Sequence, residues 1–232
     1  MFIEGGYWGI SVRLKKVRNL MPPISLHAAQ LEAESNKFQA IFEEGESEAT
    51  WNKFNNALVR MNDITCGSWE LPTFAATVKQ KWKFGIVACL NSDRTKLVKD
   101  CLILLDTIAG FLKERFDESL LLPILKLCGK ANKVIVNTAS ATLIHCINSA
   151  NGFPALIPHF TDAHKNPSKT FRIAAIDGLV ATVECCARSK LEHYYDKIEF
   201  GISVFITDSL PQVREFARLL YSAYQEKFST ER

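Results

Sequence analysis

One place in this 232-residue chain sets a nucleophile beside a base, where His145 precedes Cys146. A thiolate with an adjacent imidazole would support covalent catalysis. Helix neighbours point about 100° apart, however, and Cys146 falls on an apolar stripe with Leu143 and Ile147, so core packing is the expected role. Cys185 and Cys186 read as helix filler, and His159 and His164 flank a loop without further ligands at zinc-like spacing. The sequence contains no G-x-x-x-x-G-K-S/T phosphate loop, no G-x-G-x-x-G, no H-E-x-x-H and no G-x-S-x-G elbow. These observations predict a protein that is not an enzyme and needs no cofactor or metal.

The residues that carry more information are basic and recur in turns. Trp51 opens the series, followed by Arg94, Lys96 and Lys99, then Lys130 and Lys133, then Lys165, Lys169 and Arg172, and finally Gln212 and Arg214. What would align them is a repeated helix pair. Leu31, Glu34, Phe38, Ile41 and Phe42 trace one helix ending near Gly45. A polar loop over 46–50 leads to Trp51, after which Phe54, Ala57, Leu58, Met61 and Ile64 trace a second helix that Gly67 closes. The same unit recurs as 73–90 with 94–114, 118–128 with 132–149, 153–163 with 167–187, and 191–207 with 210–227.

The second helix of each later pair opens on a common pattern, seen at Val98-Lys99, Val136-Asn137, Phe171-Arg172 and Val213-Arg214, with a small residue soon after. Their spacings of 38, 35 and 42 residues lie around the lower edge of the HEAT/armadillo range. Cap-type residues Asp93, Asn132, Ser168 and Asp208 precede these helices. The expected fold is all-α, an α-solenoid of HEAT-like helix pairs. Stacking would place every turn between the first and second helix of a pair along one edge. That edge reads as basic with an aromatic at one end, which suits an acidic protein surface.

Composition narrows the alternatives. The apolar share is 47%, the charged share 23% and the net charge only +3, as for ordinary globular chains rather than disordered ones. The longest apolar candidate for a membrane span, from Cys101 to Leu112, is too short and carries Asp106. Nucleic-acid binding is disfavoured because the basic edge lacks interleaved aromatics. Seven cysteines without a C-x-x-C pair suggest a reduced, intracellular protein. Residues 1–24, with Trp8 and a basic cluster at Arg13, Lys15, Lys16 and Arg18, read as an arm or linker rather than a secretory signal or mitochondrial presequence. The repeat domain is expected over 25–232. Trp69 and Trp82 are expected to pack, whereas Trp51 is open to two readings, a hydrophobic cap between the first helices or a partner contact.

From about Leu31 to Lys227, about 85% of the chain, the sequence resembles a TOG domain of the CLASP family of microtubule-associated proteins. The likeness rests on six elements in order. These are Trp51 to Leu58 (Trp-x-x-x-x-x-Ala-Leu), the Leu-Leu-Pro-Ile-Leu-x-Leu helix at 121–127, Lys133 to Ser140, Leu-Ile-Pro at 156–158, the Lys-x-x-x-Arg of the fourth pair, and Val213-Arg214-Glu-x-Ala217-Arg218. The resemblance implies an α-solenoid paddle whose intra-repeat turns engage αβ-tubulin. Trp51 would contact β-tubulin, and the later basic residues would approach acidic surface reaching toward α-tubulin. It also implies microtubule stabilisation through catastrophe suppression and rescue, spindle function, and a cytoplasmic, cytoskeletal location.

The sequence departs from the family at Lys99 and Asn137, where the repeat often carries Arg, and it shows no second TOG domain and no S-x-I-P motif. The last repeat also lacks a clear capping pair. A HEAT scaffold that binds another acidic protein along the same edge is the alternative reading.

Overall fold

The computed structural model describes residues 23–228. Most of the expected arm, including Trp8 and the basic cluster, lies outside the described residues. Among the described residues every regular element is helical. The first pair is α1 (Ala28–Glu43) with α2 (Trp51–Ser68). The second runs out as α3 (Phe74–Thr77), a π-turn (Val78–Trp82) and α4 (Lys83–Leu90), and returns as α5 (Thr95–Leu112). The third joins α6 (Leu121–Leu127) to α7 (Lys133–Ser149), and the fourth joins α8 (Ile157–Asp162) to α9 (Lys169–Cys185). The fifth combines α10 (Arg188–Leu191) and α11 (Tyr195–Phe205) with α12 (Pro211–Phe228). The fold is the all-α solenoid that the sequence period predicts.

The second helices α2, α5, α7, α9 and α12 pack in that order, each against the next, and form one continuous layer. The repeated small residues explain the close stacking: Cys101, Ala139 and Ala217 are fully buried between neighbouring pairs. The large buried side chains Phe54, Met61, Ile64, Leu105, Leu143 and Leu179 fill the same uninterrupted core. Trp82 is fully buried with its indole N–H donating to Ser35 at 2.9 Å, and Phe38 and Phe74 meet its ring edge-on. Trp69 is half-buried and stacks on Phe111. Both tryptophans therefore pack, as expected.

Local chemistry sets the helix ends, with some differences from the sequence reading. Asn132 accepts from the amides of Val134 and Ile135, and Ser168 from that of Phe171, so both act as N-caps. Asp93 does not cap: Arg94 holds the cap position, and Ser92 Oγ accepts its amide at 3.0 Å. Asp208 accepts from the Leu210 amide, one turn residue early, because Pro211 begins the helix and has no N–H to offer. Gly45, at φ +75°, takes the left-handed conformation that stops α1.

Gly67 does not close α2, which continues to Ser68. It lies where residues 24–26 cross the helix, and a Cβ there would come within 2.4 Å of the Ile24 backbone. Ser68 fixes this crossing by donating to Ile24 O and accepting from Leu26 N, both at 2.9 Å.

The far end of the solenoid is closed by Tyr195, Tyr224 and Phe228, whose rings lie within 6.4 Å of one another, with Arg188 over Phe228. No helix of the described residues is long and apolar enough to cross a membrane.

Candidate functional site

Stacking brings the intra-repeat turns onto one edge, and side chains tie each turn to the next. Ser92 Oγ donates to Glu46 at 2.8 Å, joining the first two turns. Asn132 Nδ2 donates to Thr95 Oγ1 at 3.1 Å, and Ser168 Oγ to Gly129 O at 3.5 Å, joining the next two steps. Arg172 and Asp208 join the fourth turn to the fifth. The edge is thus a hydrogen-bonded ladder, fixed before any partner arrives. With about 8–10 Å between packed helices, five turns span about 32–40 Å.

In the first turn Ser47 and Thr50 exchange backbone-to-hydroxyl bonds, and Thr50 Oγ1 donates to Gly45 O at 2.7 Å. This sets the direction of Trp51, the first residue of α2, which is half-buried. The Arg94 guanidinium carbon lies 5.3 Å from the centre of the Trp51 ring. Its Nη2 meets Glu48 at 2.5 Å, and its Nε lies 3.3 Å from Glu46. Lys96 turns back to Asp100 at 2.8 Å and Asn55 at 3.3 Å.

The middle of the edge differs. Lys99, Lys130, Lys133, Lys165 and Lys169 are all exposed, and none pairs with a carboxylate among the described residues. Val134, beside Lys133, is 52% exposed, and Ile206 in the fifth turn is also exposed. Gln212 is exposed, while Arg214 donates to Asp208 O at 2.7 Å and to Ser209 O at 3.0 Å, leaving only part of its guanidinium outward.

Arg172 corrects the sequence reading. It is only 8% exposed, lies over the Asp208 carboxylate with Nε–Oδ2 at 2.7 Å and Nη2–Oδ1 at 3.1 Å, and donates to Asn166 O and Pro167 O. Four of its five N–H donors are used inside the protein, so Arg172 holds the edge together rather than projecting from it. Burial pushes the Asp208 carboxyl up, but bonds from Arg172 and the Leu210 amide outweigh it and hold the group below its ordinary value. The reading of this edge as basic is corrected at its first turn too. Glu46 and Glu48 stand on it and pair with Arg94, two carboxylates against one cation; the two acids in the 46–50 loop were the visible signal.

A second constellation escaped the sequence reading because its members come from different repeats. His145 Nδ1 lies 2.5 Å from Asp106 Oδ1, and His145 Nε2 lies 3.3 Å from Ser149 Oγ. The order Asp–His–Ser matches a hydrolase triad in connectivity. Ser149, however, is the last residue of α7, where unpaired backbone groups are carbonyls and the helix dipole is negative. An oxyanion needs N–H donors at that point, so the line links the second and third repeats and does not activate Ser149.

Cys146 is fully buried, as expected, and burial raises its thiol well above the ordinary range. Cys89 and Cys128 are pushed up to about 12. No two of the seven cysteines are joined in a disulfide. His164 Nδ1 contacts Thr161 O at 2.8 Å, and among the described residues no three His, Cys, Asp or Glu side chains converge as metal ligands.

The family model described as CLASP N terminal matches residues 31–231. Protein STU1 of Yarrowia lipolytica is 25% identical over 227 residues, covering 93% of this chain and 14% of that protein. Protein peg1 of Schizosaccharomyces pombe is 27% identical over 225 residues, covering 92% of this chain and 15% of its own length. The chain thus spans about a sixth or less of the curated relatives it matches. Among solved structures, a designed armadillo repeat protein in complex with a (KR)4 peptide aligns with a TM-score of 0.44 at 14% identity, covering 96% of this chain and 95% of that one. A family match over nearly the whole repeat array places this chain in the CLASP N-terminal family.

Proposed function

We propose that this chain is a non-catalytic TOG-type module that binds αβ-tubulin along the ladder edge. The observation that carries the reading is the arrangement of that edge. A fixed, half-buried Trp51 stands at one end, and five lysines free of carboxylate partners among the described residues extend from the second turn to the fourth. Such an edge suits a folded acidic partner with an apolar shelf at one end. An aromatic anchor supplies affinity, and unpaired cations supply steering and register.

Membership in the CLASP N-terminal family and the resemblance at Trp51 and the later turns support tubulin as that partner. Arg214 and Gln212 extend the contact at the fifth turn. At the second turn Lys96 contributes, its charge partly occupied by Asp100, while the Arg94 guanidinium is turned to Trp51, Glu46 and Glu48.

In the longer proteins this module would act in the cytoplasm on microtubules and the spindle, in stabilisation, catastrophe suppression and rescue. Several weak modules joined in one chain raise the effective concentration of each. Size-exclusion chromatography of the chain with free tubulin tests the binding. Co-elution that disappears when Lys130, Lys133 and Lys169 are all changed to Glu supports the proposal, and co-elution unaffected by those changes contradicts it.

A further inference from the structure

Resting on the tubulin-binding reading, we infer that Arg94 is a positioning residue: its guanidinium, paired with Glu46 and Glu48, clamps Trp51 in its binding pose. Three observations converge on this side chain. Its planar cation covers one face of the Trp51 ring at 5.3 Å. Its Nη2 donates to Glu48 at 2.5 Å, and its Nε lies 3.3 Å from the Glu46 carboxylate, an ion pair that keeps the cation beside the ring. Ser92, two residues earlier, donates to Glu46 at 2.8 Å and accepts the Arg94 amide at 3.0 Å, which anchors the grip to the backbone.

The clamp crosses a repeat boundary. Trp51, Glu46 and Glu48 belong to the first pair, whereas Arg94 belongs to the second. It therefore sets the angle of the aromatic relative to the lysine row that begins at Lys99. Without it the indole gains rotamers that binding must freeze again, and affinity falls although no partner contact is lost.

Geometry favours arginine over lysine here. A guanidinium can lie flat on an indole while its edges reach two carboxylates, and an ammonium cannot do both. The cation over Phe228, Arg188, lies on α10 and not in an intra-repeat turn.

The test uses two readouts, one independent of any partner. Acrylamide quenching of Trp51, isolated as the difference between each protein and its Trp51→Phe counterpart, is expected to rise about twofold in Arg94→Ala and in Arg94→Lys as the ring face is uncovered. Tubulin affinity is expected to fall about tenfold in Arg94→Ala, but by less than about twofold when the same change is made on Trp51→Ala, because the two residues act as one unit. Unchanged quenching, an additive loss of affinity, or full binding by Arg94→Lys would each overturn the clamp. If the wild type does not bind tubulin, the functional reading fails, and the quenching result alone still decides whether Arg94 clamps Trp51.

Discussion

Arg172 and Asp208 face each other across the boundary between the fourth and fifth repeats, bound through Nε–Oδ2 at 2.7 Å and Nη2–Oδ1 at 3.1 Å, with the arginine almost wholly buried. Arg214 stands at the equivalent position one repeat later. It makes the same backbone bonds, to the residues five and six positions before it, but has no described sixth repeat to pair with. The same residue type is therefore structural in one repeat and partly available at the edge in the next. Removing one partner of a buried pair leaves an unpaired charge, so Arg172→Ala should lower stability by about 3–5 kcal/mol. Urea denaturation of Arg172→Ala beside Arg214→Ala checks this, and the second change should cost about 1 kcal/mol or less.

Two carboxylates give opposite pH dependences. Burial, with Glu184 opposing its charge, pushes the Asp177 carboxyl up to about 7. A group whose pKa rises on folding stabilises the fold fully below its unfolded value of about 4, and that contribution is lost as pH climbs through 7. Asp177→Asn should thus raise the melting temperature at pH 8 more than at pH 5. Asp208 is lowered, so its contribution is present above about pH 4 and lost as pH falls through its depressed value. Asp208→Asn should be destabilising at neutral pH and close to neutral near pH 2. Melting temperatures across this range that shift equally at every pH would contradict both assignments.

The crossing at Gly67 predicts a backbone effect. Gly67→Ala places a methyl group within 2.4 Å of the Ile24 carbonyl carbon, and either α2 or residues 24–26 must shift. A loss of about 1–3 kcal/mol is expected. The urea midpoint should fall with an unchanged slope, and a variant as stable as the wild type would show that the crossing is loose.

Val134 offers a test of where the partner lies. It is exposed beside Lys133 of the third turn and lies outside the hydrophobic core. Val134→Asp should leave helical content and melting temperature unchanged while weakening tubulin binding about tenfold, as expected for a charge placed in the centre of a contact facing an acidic surface. Phe84, still more exposed but on α4 away from the intra-repeat turns, is the control: Phe84→Asp should bind like the wild type.

Much of this was legible in the chain because helix periodicity and repeat spacing are local properties. Leu31 through Phe42 and Phe54 through Ile64 announce their helices without any tertiary knowledge, and the small residues at Cys101, Ala139 and Ala217 announce the stacking. Positions of turns follow directly, so the edge and its lysines were readable. Side-chain partnerships across repeats were not. Whether an arginine in a turn is free depends on an acid some 36 to 48 residues away, as for Arg172 with Asp208 and Arg94 with Glu46 and Glu48. The Asp106–His145–Ser149 line was hidden for the same reason, since its residues sit on α5 and α7.

In the proposed complex Trp51 anchors this edge to tubulin. Isothermal titration of the chain and of Trp51→Ala with αβ-tubulin, with circular dichroism to confirm matched helical content, tests it most directly. Affinity is expected to fall at least about thirtyfold in the variant, the scale of an interface hot spot. Equal affinities for the two proteins would contradict it.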